Sequence, residues 1–70
     1  MENNTELEIF WKEVNIIQQR HKIYFPVQKK KFIKIRETAT GYELEIEDGH
    51  NLPSAIILEI QLAFKLAGEI

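Results

Sequence analysis

An α+β fold, ordered helix, three-stranded antiparallel meander, helix, is predicted by three observations. An apolar periodicity of three and four residues runs from Leu7 to His21, a strict two-residue alternation covers Tyr42 to Glu47, and a second helical periodicity follows Pro53. Two amphipathic helices and a half-apolar sheet bury most surface as two layers, so both helices are expected on one face of the sheet.

The first helix starts near Thr5, which with Glu8 three residues later forms a capping-box pattern ahead of the apolar run. At about 100° per residue, Leu7, Phe10, Trp11, Val14, Ile17 and His21 make one stripe, the predicted core face. Ile9 and Ile16 project to the opposite side, among Thr5, Lys12 and Gln19. Lys22 to Val27 is short, aromatic and β-branched, and its Pro26 cannot donate to a ladder, so it reads as an edge strand. Gln28, Lys29 and Lys30 connect it to a second strand, Lys31 to Glu37, in which Ile33 and Ile35 alternate with Lys34 and Arg36.

Thr40-Gly41 supplies a tight turn into the third strand, because glycine takes positive φ most easily. Folding about that turn sets Ile35 opposite Ile46, Glu37 opposite Leu44, Arg36 opposite Glu45 and Lys34 opposite Glu47. Apolar residues then meet on one face and opposite charges on the other. Asp48-Gly49-His50-Asn51 is a turn cluster whose Asn51 would cap the final helix, with Pro53 and Ser54 in its first turn. That helix is expected to reach about Ala67 and to stop at Gly68. Its core stripe is Ile56, Ile60, Ala63, Phe64 and Ala67, with Ile57 at the margin, while Leu58, Leu62 and Leu66 form a second stripe beyond the core arc.

This order of elements resembles the double-stranded-RNA-binding domain in topology. That family carries a lysine-rich start to its second helix, where this chain has Asn51, Leu52, Pro53, Ser54 and Ala55. The resemblance therefore implies neither function nor site residues.

Length and composition fit one small domain spanning residues 1–70, with 44% hydrophobic and 29% charged residues and a net charge of -2. With no cysteine, stability must come from packing or subunit association, and a cytoplasmic, soluble protein is expected. No segment approaches the length of an apolar membrane span, and Met1 to Leu7 is polar and acidic, unlike a signal peptide, so neither a membrane partner nor export is expected, and no small-molecule substrate is evident. The charge is unevenly spread. Arg20, Lys22, Lys29, Lys30, Lys31, Lys34 and Arg36 fall in a stretch without any acid, whereas both flanking stretches are acidic.

Chemistry is hard to assemble from these residues. His21 and His50 have no partner at a metal-ligand spacing, so no metal or other cofactor is expected; Glu47, Asp48 and His50 on one turn read as ordinary turn residues. His21 suits a helix C-terminus, where a cation favours the dipole. One serine, no cysteine and no base motif leave nothing to activate as a nucleophile, so an enzyme is not expected. Glu43, Glu45 and Glu47 lie about 7 Å apart along one strand face and point to solvent, which discourages edge pairing rather than performing acid–base work.

Two surfaces remain. Ile9, Ile16, Leu58, Leu62 and Leu66 exceed what one small core can bury, which points to a non-enzymatic protein-interaction or regulatory module. Such a module would self-associate as a homodimer through its helices and bind another protein. The alternative is a nucleic-acid-binding module using Tyr24, Lys29, Lys30, Lys31, Phe32, Lys34 and Arg36, with the aromatics and strand cations sharing the open sheet face. Against it, the acidic strand would neutralise Lys34 and Arg36.

Overall fold

The computed structural model describes residues 5–47 and 52–69. Helix α1 (Thr5–Arg20) leads through a turn into a six-residue 3-10 helix (Val27–Phe32). Strands β1 (Ile33–Thr38) and β2 (Gly41–Ile46) follow, and helix α2 (Ser54–Ala67) closes the order. The sheet is antiparallel and has two strands. The class is therefore α+β, as the sequence predicts, but the three-stranded meander is not formed.

The missing strand has a local cause. Tyr24 and Phe25 both donate their backbone N–H groups to His21 O, at 3.0 and 2.6 Å, and Lys29 donates to Pro26 O at 2.9 Å. Pro26 has no N–H to offer. Tyr24, Phe25 and Lys29 thus spend their donors in local turns, and the strand propensity of Ile23, Tyr24 and Phe25 is overridden. Phe25 is fully buried and pins this segment to the core. With two strands instead of three, the topological likeness to the double-stranded-RNA-binding domain lapses.

The hairpin departs from expectation by two residues in register. Thr38 faces Gly41, so the turn is Ala39-Thr40, and Ile33 faces Ile46, Ile35 faces Leu44, Lys34 faces Glu45, Arg36 faces Glu43 and Glu37 faces Tyr42. A shift of two preserves the side-chain faces, because strand side chains alternate with period two. Ile33, Ile35, Leu44 and Ile46 accordingly remain on the core side. The expected charge pairs survive as diagonals, Lys34 to Glu47 and Arg36 to Glu45 at 4.0 Å each, while Arg36 makes its shortest contact, 3.1 Å, with Glu43. Thr38 Oγ1 accepts from the Thr40 N–H at 3.3 Å and fixes the turn from one side. Gly41 fixes it from the other with φ +149°, a value that other residues rarely adopt.

The core is a single cluster. Phe10, Val14 and Ile17 from α1 meet Ile56, Ile60, Ala63 and Ala67 from α2, with Phe25, Ile33 and Leu52 filling from the loops and sheet. Phe10 is its aromatic centre, packed edge-on against Trp11 and Phe64 with ring centroids 5.1 and 5.5 Å away. The helices run antiparallel. Arg20, at the end of α1, meets Glu59 in the first half of α2, whereas a Cβ on Gly68, past the end of α2, would lie 3.5 Å from Glu6 Oε2.

Helix ends differ in detail from expectation. Pro53 occupies the N-cap of α2 rather than its first turn, its carbonyl accepting from Ile56 and Ile57, and Ser54 opens the helix. Gly68 follows α2 in a right-handed conformation, φ -73° and ψ -11°, so the stop does not use glycine's special freedom. The turn cluster Asp48-Gly49-His50-Asn51, with the expected Asn51 cap, lies outside the described residues.

Candidate functional site

Periodicity fixes what each helix presents. On α2, Ile56, Ile60, Ala63 and Ala67 turn inward, and at about 100° per residue Leu58, Leu62 and Leu66 lie roughly 170°, 130° and 90° round the cylinder from that stripe, on the side away from Ile57 and Phe64. They remain 64, 56 and 52% exposed. On α1 the same geometry leaves Ile16 45% exposed. Ile9, expected beside it, is instead half-buried and packed against the core cluster. Gln18, not singled out by the periodicity, is buried.

Between the two helices lies a shallow groove of about 150 Å³, lined by Glu13, Ile17 and Arg20 from α1 and by Glu59, Leu62, Ala63 and Leu66 from α2. Ile16 stands three residues from Glu13 and four from Arg20, hence on the same edge of α1 as the groove wall. Leu62, Leu66 and Ile16 are thereby brought to one side of the molecule, the outer side of the helix pair, with Leu58 one turn further along α2. The groove is closed at one end by ions. Arg20 Nη2 donates to Glu59 Oε1 at 2.8 Å, and His21 Nε2 lies 3.0 Å from Glu59 Oε2. An ionised carboxylate only accepts, so His21 Nε2 carries the proton in that contact. No sequence spacing could have disclosed Glu59 in this role, because its partners are 38 and 39 residues away.

The basic residues are distributed over two elements. Lys34 and Arg36 lie on β1 and Lys29, Lys30, Lys31 and Phe32 on the 3-10 helix, while Tyr24 precedes that helix and stands on no strand. A shared sheet-face platform of Tyr24, Phe32, Lys34 and Arg36 is therefore not assembled. Arg36 has Glu43 and Glu45 within 4.0 Å and Lys34 has Glu47 at the same distance, so the strand cations present little net positive charge to a phosphate backbone. Lys30 Nζ donates to Asn15 Oδ1, tying the 3-10 helix to α1, and Lys31 Nζ sits 5.7 Å from the centroid of Phe32.

Among the described residues, no cluster of three or more His, Cys, Asp or Glu side chains could hold a metal ion, and Asp48 and His50 lie outside them. No described helix is long and apolar enough to cross a membrane. Compared with protein-family models, curated proteins and solved structures, the chain matches none significantly.

Proposed function

We propose that the chain is a non-enzymatic protein-interaction module that self-associates through the outer side of its helix pair. The observation that carries this reading is the row of three exposed leucines, Leu58, Leu62 and Leu66, of which Leu62 and Leu66 line the inter-helix groove, with Ile16 exposed on α1. A fully buried leucine contributes about 1.5–3 kcal/mol, so covering the exposed halves of three leucines on each of two chains yields on the order of 5–9 kcal/mol. Association itself costs ~4–15 kcal/mol, so the leucine row offsets only the lower part of that range, and a micromolar dimer requires Ile16 and the groove walls to be covered as well. Association is then concentration-dependent, and the middle of the row decides it.

Sedimentation velocity over a micromolar concentration series tests the reading. A dimer is expected that Leu62→Glu dissociates, since the substitution puts an unpaired charge at the centre of the covered row. Because Leu62 faces solvent in the monomer, the variant should keep its far-UV circular dichroism. A parent chain that stays monomeric at high micromolar concentration overturns the reading.

A further inference from the structure

The turn between α1 and the 3-10 helix carries the most exposed large apolar side chain of the described residues, Ile23, and two others as exposed as the leucine row. Ile23 is 83% exposed, Tyr24 63% and Val27 60%, while Phe25 between them is completely buried. The backbone here is held by the two hydrogen bonds to His21 O and by the Phe25 anchor. The tip is thus a fixed projection, and its exposure follows from how the core grips Phe25. Cations surround it. Lys22 precedes Ile23 and is exposed, Lys30 stands one 3-10 turn beyond Val27 and so on the same side, half-buried with its Nζ on the uncharged acceptor Asn15 Oδ1, and Lys31 is exposed next to it.

No acid occurs from Val14 to Arg36. Among the described residues, Glu59 is engaged with Arg20 and His21, and Glu47 with Lys34. Gln19, Arg20, His21, Lys22, Ile23 and Tyr24 also share the wall of an open cleft of about 270 Å³, which sets polar groups against an apolar rim.

We propose that this tip docks on an anionic lipid bilayer, with Ile23, Tyr24 and Val27 entering the headgroup–acyl boundary and Lys22, Lys30 and Lys31 lying on the anionic headgroups. The charge complementarity names an anionic partner, and the aliphatic pair Ile23 and Val27 selects among anionic partners. A nucleic acid would use the cations and the Tyr24 ring but offers no apolar phase for two branched aliphatic side chains. A bilayer interface takes all three, a tyrosine at headgroup level above all. The absence of a spanning helix is no obstacle, since interfacial docking needs a few apolar side chains and a basic surround.

Co-sedimentation of the full chain with phosphatidylcholine vesicles, with and without phosphatidylserine, tests the proposal, alongside a fluorescent single-stranded oligonucleotide of mixed sequence. Binding is expected to the phosphatidylserine vesicles only, weakening as salt rises. Replacing Lys22, Lys30 and Lys31 by Gln should weaken it about fivefold per lysine, on the order of a hundredfold together. Ile23→Ser with Val27→Ser should abolish sedimentation while leaving circular dichroism unchanged, because both side chains are exposed. Leu62→Glu should bind vesicles like the parent, so a failure of self-association leaves this test standing. Binding to the oligonucleotide but not to vesicles, binding to neither, or vesicle binding indifferent to the Ile23 and Val27 substitutions would each overturn it.

Discussion

Alanine substitutions at Ile23, Phe25 and Val27 separate the observed turn from an edge strand. On a strand these three residues, spaced by two, would share one face and be lost at similar cost. In the turn they diverge, with Phe25 fully buried and the other two exposed. Phe25→Ala removes a ring from the centre of the cluster that also contains Phe10, Ile33 and Ile60, and core Phe→Ala changes cost about 3–5 kcal/mol. A domain of this length has a total stability of roughly 4–10 kcal/mol, so Phe25→Ala should leave the fold marginal. Ile23→Ala and Val27→Ala should stay within about 0.5 kcal/mol of the parent, as exposed substitutions do. Urea unfolding followed by Trp11 fluorescence measures all three, the indole being packed 5.1 Å from Phe10 in the same core. With a slope of about 1 kcal/mol per molar urea, the Phe25 variant should lose roughly 3 M or more of midpoint. Equal losses at all three positions, or a Phe25→Ala loss below about 1 kcal/mol, would refute the turn.

The two described glycines should respond oppositely to alanine. Gly41→Ala, at φ +149°, should destabilise by more than about 1 kcal/mol although no atom lies within 4 Å of the new Cβ, whereas Gly68→Ala, in right-handed backbone with its nearest neighbour at 3.5 Å, should be neutral or stabilise by about 0.4–1 kcal/mol. Thermal unfolding of both variants checks the sign. In the hairpin, a double-mutant cycle on Arg36 and Glu43 should return a coupling of about 0.2–1 kcal/mol that shrinks in high salt. Coupling of Arg36 to Glu45 larger than to Glu43 would contradict the observed register.

Local rules carried the helices and the alternating strands. A periodicity of apolar residues needs only the geometry of the cylinder to be read, so the core faces of both helices, including Ala63 and Ala67, and the exposed row Leu58, Leu62 and Leu66 are legible before any tertiary contact is known. The same rule misplaced Ile9, because its burial depends on what packs beside α1 and not on α1 itself. The candidate cationic surface was legible as composition and not as geometry. Seven of the nine Lys and Arg residues fall between Arg20 and Arg36, but the platform assumed for the strand cations required Tyr24 to lie on a strand.

The amino-acid sequence by itself determined the two helices, the hairpin's inner and outer faces and the surplus of apolar side chains, since each follows from a repeat of 3.6 or 2 residues and the chemistry of individual side chains. For residues 21–32, local turns and the burial of Phe25 in the core acted together. The aromatic, β-branched stretch there satisfies any local strand rule, yet a ladder needs a partner with free donors and acceptors. Here Phe25 gains more by entering the core, while its neighbours' N–H groups close on His21 and Pro26. The hairpin register follows the local turn fixed by Thr38 and Gly41, but tertiary structure drew Glu59 to Arg20 and His21 across nearly forty residues. The burial of Phe25 and the pairing of Glu59 are competitions between distant groups for the same buried volume and the same hydrogen-bond partners, and no repeat along the chain encodes their outcome.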